Sequence, residues 1–204
     1  MATSGSAIRT VGSALAARAA RARPGMTLSE IITVMTIAGV VVGIALPRVP
    51  VVPMRLDAGA RTVFTALQVA QQLAVVRQCN VIVSFDVAGG TVRTLEDRNG
   101  DAAVSIGDKV KWQPLQEGVV FAAPPSGRGV NGPVSKEISG STLSTIEGMP
   151  SITFRRNGAA SSDIEIYLGL GAIENGSRGV TVSQATGRPS WHRWSGGSWI
   201  NGGL

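Results

Sequence analysis

The polarity pattern divides the chain into three stretches. No residue from 31 to 46 carries a charge. A helix over residues 26–46, at about 1.5 Å per residue, would be roughly 31 Å long, close to the roughly 30 Å of a bilayer core. Pro47, Pro50 and Pro53 follow; each removes a backbone donor and disfavours helix at the preceding residue. Residues 47–53 therefore read as a proline-rich joint, either a flexible break or an extended linker. Beyond it, Leu56, Ala60, Val63, Phe64, Leu67, Ala70 and Ala74 recur at helical spacing, with Arg55, Arg61, Gln68, Gln72 and Arg77 on other faces. That predicts an amphipathic helix over 54–79 whose apolar stripe packs on the protein's own sheet.

After Cys79 the pattern shifts to period two and the composition to Gly, Ser, Thr and Val, which predicts antiparallel strands with many turns. Residues 81–87 and 91–95 flank Gly89-Gly90, a hairpin signature. Further strands are expected at 109–112, 119–122, 151–155, 164–168, 179–184 and 189–194. Residues 124–148 read as a long loop with short structure around 136–146. The expected fold class is α+β: a long N-terminal helix, one half membrane-spanning and one half amphipathic, broken near Pro47–Pro53, and packed on an antiparallel sheet or small β-sandwich.

Charge narrows the possible partners. The 204 residues carry 19 basic and 13 acidic side chains, a net charge of +6. Arg9, Arg18, Arg21 and Arg23 lie in the first 25 residues, which hold no acid. Without that segment the net charge falls to +2, so the basicity is weak evidence for a nucleic-acid partner. A secretory signal is cleaved after its apolar stretch, whereas here Pro24-Gly25 precedes it, so cleavage would leave the apolar segment in place as an anchor. With arginines before the span, the N-terminus stays cytoplasmic and the body faces outward. Glu30, at the start of the span, would cost on the order of 2.5–3.5 kcal/mol if carried to the helix centre. It is expected either to have a partner or to rest at headgroup level, where the helix dipole favours it.

The run Arg23-Pro-Gly-Met-Thr-Leu-Ser-Glu30, leading into the apolar stretch, resembles the processing site of type IV prepilins. The resemblance implies cleavage after Gly25 by a prepilin peptidase, N-methylation of Met26, and a mature chain anchored by its first helix. It implies that Thr27, Leu28 and Glu30 serve assembly, with Glu30 paired to the free amine of a neighbouring subunit. Partners so implied are other pilins or pseudopilins, the peptidase and an inner-membrane assembly platform. The domains become a leader at 1–25, a transmembrane or filament-core helix at 26–46, the joint at 47–53 and a periplasmic pilin-like domain at 54–204, helical over 54–79 and β-rich over 80–204. The protein would be a single-pass protein of the bacterial inner membrane, incorporated into a pseudopilus or pilus.

Within that family, the helix followed by Val81-Ile-Val-Ser-Phe85, the segment Phe154-Arg-Arg-Asn-Gly-Ala-Ala-Ser-Ser162 and the turn at Gly187-Arg188 look like the GspH/FimT group of minor pseudopilins. The group implies one long helix against antiparallel strands, and two roles. One is a minor pseudopilin of a type II secretion pseudopilus that drives protein export. The other is a minor pilin of a type IV pilus, active in assembly or DNA uptake, where a Gly-Arg-x-Arg element contacts DNA. Here Ser190 stands where that element has its second arginine. Arg188 and Arg193 with Trp191, Trp194 and Trp199 supply charge and stacking surfaces for single strands; alternatively the tryptophans fill the core or its edge and the arginines are solvated.

Little material for catalysis is present. One histidine and one cysteine exclude an intrachain disulfide and leave little material for a Cys–His pair or a His-rich metal site. Asp97, Asn99 and Asp101 match the first positions of a calcium loop, but Gly100 is misplaced and no bidentate glutamate follows at the required spacing, so a tight turn is expected. Cys79 reads as a small buried apolar residue. Asn175-Gly-Ser177 formally fits a glycosylation sequon. The expectation is a structural subunit, with no enzyme activity, cofactor or metal.

Overall fold

The structure, a computed structural model, describes residues 25–45, 51–133, 138, 143–171 and 176–202. The leader to residue 24 and Pro47 and Pro50 of the joint lie outside the described residues. The chain divides into two units, Met1–Val49 and Pro50–Leu204.

In the first unit, helix α1 spans Leu28–Ala45. Its 18 residues rise about 27 Å. Among the described residues no helix is long and apolar enough to cross a membrane.

In the second unit, helix α2 spans Val51–Arg77. It begins three residues before the expected start, so Val51, Val52 and Pro53 belong to the helix and not to a joint. The reason is positional: the first N–H groups of a helix have no intrahelical partner, so Pro53 in the first turn removes no hydrogen bond. The helix ends where Gln78 turns left-handed at φ 54°, its side-chain amide donating to the Val75 carbonyl at 2.7 Å.

The strands are β1 Asn80–Asp86, β2 Thr91–Asp97, β3 Lys109–Pro114, β4 Val119–Phe121, β5 Arg128–Gly129, β6 Gly132–Pro133, β7 Thr145–Ile146, β8 Met149–Phe154, β9 Ile164–Leu170, β10 Arg178–Val182, β11 Pro189–Trp194 and β12 Trp199–Asn201. They form one sheet in the order β3-β2-β1-β8-β7, a second in the order β12-β11-β10-β9-β4, and a two-stranded β5-β6 ribbon. All pairings are antiparallel. The α+β expectation therefore holds for this unit. The expected strands are present to within two residues at each end, and β7 falls in the expected short structure around 136–146; β5, β6 and β12 were not foreseen.

Strand alternation decides which residues meet the helix. On the first sheet Val81, Val83, Phe85, Val92, Ile152 and Phe154 are buried in the common core; on the second, Ile164, Ile166, Leu168, Val180 and Val182 are. Phe85 and Phe121 meet edge-on across the two sheets, ring centroids 5.8 Å apart. Helix α2 supplies Leu56, Gly59, Ala60, Val63, Ala66, Leu67, Ala70 and Ala74, largely small residues that let both sheets approach. At Gly59 the approach is closest: a Cβ there would stand 2.9 Å from Val119 Cγ1. Cys79 is buried in the same core, and burial raises its thiol pKa.

Candidate functional site

Residues 25–30 combine an open peptide with a helix start. Gly25, Met26 and Thr27 precede α1 and are exposed. A Cβ on Gly25 would meet nothing within 4 Å, and its backbone is not left-handed, so the fold does not require glycine there. Thr27 is the N-cap: its hydroxyl accepts the Glu30 backbone N–H at 3.3 Å and its carbonyl accepts the N–H groups of Glu30 at 3.1 Å and Ile31 at 3.2 Å. Thr27-Leu28-Ser29-Glu30 thus has the sequence of a capping box, a signal overlooked in the sequence reading. Only the threonine half of the box is made. The Glu30 carboxylate, the one charge in α1, forms no ion pair among the described residues.

Over residues 31–44 α1 is exposed on every side, including Ile31, Ile32, Val34, Met35, Ile37, Val40, Val41, Val42 and Ile44. Its remaining hydroxyls are satisfied internally: Thr33 donates to the Ser29 carbonyl and Thr36 to that of Ile32, both at 2.8 Å. A helix apolar all round belongs inside a larger apolar environment, and Glu30 is its exception.

Of the four C-terminal candidates, the structure brings only Arg188 and Trp191 into one groove. Trp191 and Arg193 alternate with His192 and Trp194 along β11, so the two tryptophans point to opposite faces of the second sheet. Trp191 packs against the core on the α2 side. Trp194 lies buried on the far face, edge-on to Trp199 at 5.2 Å. Arg188 and Arg193 are exposed. Arg188 follows the left-handed Gly187 and shares a groove with Trp191. Arg193 stands opposite Arg178 in the ladder.

The far face of that sheet carries a cluster absent from the sequence reading. Tyr167 and Trp199 stack obliquely at 5.4 Å, and the β5–β6 ribbon is pinned above them. The Trp199 indole donates to the Arg128 carbonyl at 2.9 Å, Val130 N–H to the Tyr167 hydroxyl at 3.0 Å, and Asn131 to the Glu165 carboxylate through backbone and side chain. The Tyr167 hydroxyl in turn donates to Glu165. Gly179 makes room below, where a Cβ would come within 3.1 Å of Val130 and 3.2 Å of Trp199. His192, 3.2 Å from the Thr181 hydroxyl, has its pKa lowered by burial, with Glu165 opposing.

Two buried arginines also escaped the sequence reading. Arg178 donates to Asp57 of α2 at 2.6 Å and to the Gly176 carbonyl at 2.8 Å. Arg93 pairs with Glu147, donates to the Ser84 hydroxyl at 3.2 Å and lies 5.6 Å from the Trp112 ring centroid. Their partners are far away in sequence, so no local pattern announces them.

The acidic loop is a turn, as expected. Asp97 accepts the Gly100 and Ala102 N–H groups at 2.7 and 3.2 Å; Asp108 accepts the Arg98 and Ser105 N–H groups and the Ser105 hydroxyl. The carboxylates are spent on the loop itself. Among the described residues no group of three or more His, Cys, Asp or Glu could hold a metal ion.

No protein-family model and no curated protein matches the sequence. Similar solved structures include the type IV minor pilin FimU of Pseudomonas aeruginosa, 14% identical over 66% of this chain and 85% of that chain, with a TM-score of 0.44. The minor pseudopilin EpsH from the type 2 secretion system of Vibrio cholerae is 12% identical over 71% of this chain and 99% of that chain, with a TM-score of 0.46.

Proposed function

We propose that this chain is a minor pseudopilin, a non-enzymatic structural subunit of a type II secretion pseudopilus, processed after Gly25 and methylated on Met26. The observation that carries the reading is Glu30: a carboxylate with no ion pair among the described residues, at the capped start of a helix whose apolar side chains are exposed on all sides. Such a helix is completed by apolar surroundings, and such a carboxylate by a cation from elsewhere. The free amine that cleavage would create on a neighbouring subunit is a cation of the right kind, and pairing would set the axial register between copies. Before assembly the apolar segment 26–46, of which α1 is a part, would be held in the inner membrane, with the body on the periplasmic side. The assembly platform and peptidase are the other partners.

The openness around Gly25 makes the test clean. Gly25→Val meets no steric obstacle within the chain, so any effect reports recognition by the peptidase. In cells expressing prepilin peptidase, the unmutated chain should lose its first 25 residues, read by mass spectrometry, and Gly25→Val should keep them. Cleavage of the variant at the same place would refute the assignment.

The second reading, a type IV minor pilin active in pilus assembly or DNA uptake, draws on exposed Arg188 and Arg193, with Arg188 sharing a groove with Trp191. Gel-shift at low salt tests it: binding should occur and should weaken in Arg188→Ala/Arg193→Ala with a reduced salt dependence. An unmutated chain that does not shift single-stranded DNA excludes the DNA-uptake role.

A further inference from the structure

The seam between α2 and β11 holds a groove of about 500 Å³, within the size range of small-ligand sites. Polar side chains outnumber apolar ones in its lining. Gln68 and Gln72 from α2, Ser190 from β11 and Asn201 from β12 line it, and no side-chain hydrogen bond engages any of the four within the described protein. Gln68 and Gln72 are exposed and lie four residues apart, hence on one helix face. Trp191 lines the same groove, and its indole N–H is buried with no hydrogen-bond partner, a deficit that natural structures rarely carry. The backbone of Gly202 lies against the indole: a Cβ there would come within 2.5 Å of the ring. Among the described residues of the lining, Arg188 carries the only charged side chain and no side-chain carboxylate is present.

This set favours one ligand chemistry. A phosphate chain is held by several cations, and the groove offers one. An amphipathic helix needs a continuous apolar floor, whereas here Phe64, Pro189 and Trp191 share the lining with three glutamines, a serine and an asparagine. Each glutamine or asparagine presents two donors and an acceptor, and serine adds a donor and acceptor, which together match ligands whose groups both donate and accept. Adjacent hydroxyls on a sugar ring do so, and the ring's C–H face suits the indole. We propose that the α2–β11 groove binds a neutral, hydroxyl-rich chain, an oligosaccharide or the exposed end of a polysaccharide. The proposal does not rest on assembly into a filament, and the Gly25 test above neither supports nor removes it.

The experiment uses the full chain in a detergent without a sugar headgroup. In one arm, cello-, malto- and chito-oligosaccharides are titrated and followed by the indole N–H resonances, that of Trp191 being assigned by its loss in Trp191→Phe. In the second arm, retention on insoluble cellulose and chitin distinguishes a polysaccharide source. A saturable shift of the Trp191 resonance with a soluble sugar supports the proposal. Retention on particles alone supports it for the polysaccharide form, provided Gln68→Ala/Gln72→Ala abolishes it. That double variant removes only exposed groups and should weaken sugar binding about tenfold or more. Absence of binding in both arms overturns the proposal. So does binding unchanged in Gln68→Ala/Gln72→Ala, or a glutamine-dependent preference for a neutral peptide or an oligonucleotide over every sugar.

Discussion

The ion pair between Asp57 and Arg178 joins the amphipathic helix to the second sheet, and its energetics can be worked from the geometry. Arg178 is almost fully buried, at 3% side-chain exposure, while Asp57 is 39% exposed, and they meet at 2.6 Å. In Asp57→Ala the guanidinium stays buried, with the Gly176 and Ser177 carbonyls as its remaining acceptors among the described residues. Removing one partner of a fully buried pair costs about 3–5 kcal/mol. Here the carboxylate is partly solvated and two acceptors remain, which brings the expected loss to about 2 kcal/mol. For a domain of this size that is a fall of about 4–8 °C in melting temperature. Replacing the arginine as well, in Asp57→Ala/Arg178→Met, removes the stranded charge and leaves apolar volume, so the double variant should recover most of the loss. Urea unfolding of the full chain, followed by the near-ultraviolet circular dichroism of the tryptophans, reads both. A loss below about 0.5 kcal/mol for Asp57→Ala, or a double variant no more stable than the single one, would refute the reasoning.

Gly59→Ala tests the closeness of α2 to β4. Alanine should gain about 0.5–1 kcal/mol of helix propensity, yet its Cβ would stand 2.9 Å from Val119, so we expect net destabilisation of about 1 kcal/mol in urea, relieved in Gly59→Ala/Val119→Ala. Stability should fall with acid. The Val104 N–H and the Arg93 guanidinium hold the Glu147 carboxyl below its usual range, and the Ser105 hydroxyl and Arg98 N–H do so for Asp108. Stability from such depressed carboxyls is complete above their unfolded-state pKa and lost as pH falls through the folded one. His192, depressed by burial, has the same sign, because the unfolded chain takes up its proton first; urea midpoints across the acid range should drop, less steeply in Glu147→Gln. The Cys79 thiol, buried and raised in pKa, should react with a disulfide reagent only as fast as the fold opens, which stopped-flow absorbance with and without urea measures.

How much of this was legible beforehand depended on the range of the interaction. The period of apolar residues located α2, since a 3.6-residue repeat needs no knowledge of what it packs on, and of the seven residues it named only Phe64 is less than fully buried. Alternation and Gly89-Gly90 located β1 and β2 for the same reason. Proline was misjudged at 53 because its effect depends on place within a helix: in the interior it breaks the hydrogen-bond ladder, and in the first turn it breaks nothing. β12 is three residues after a Gly-Gly turn, too short to carry a period.

For the proposed processing and assembly residues Gly25, Met26 and Glu30, the signal that suggests the role is local: a glycine just ahead of an apolar run, and a charge at the start of that run. The tertiary structure decided what depends on partners distant in sequence. Trp191 and Trp194, neighbours in a composition-based reading, were separated by strand alternation onto two faces of one sheet. Gln68 and Gln72, mere polar helix positions in the sequence, were set beside Ser190, Trp191 and Asn201 by the packing of α2 on β11. Arg178 found Asp57 across 121 residues. Sequence alone settled periodicity, chain charge and local caps, since these act within a turn or two of backbone; sheet order and helix docking chose which side chains share a surface, because burial is a property of the assembled core.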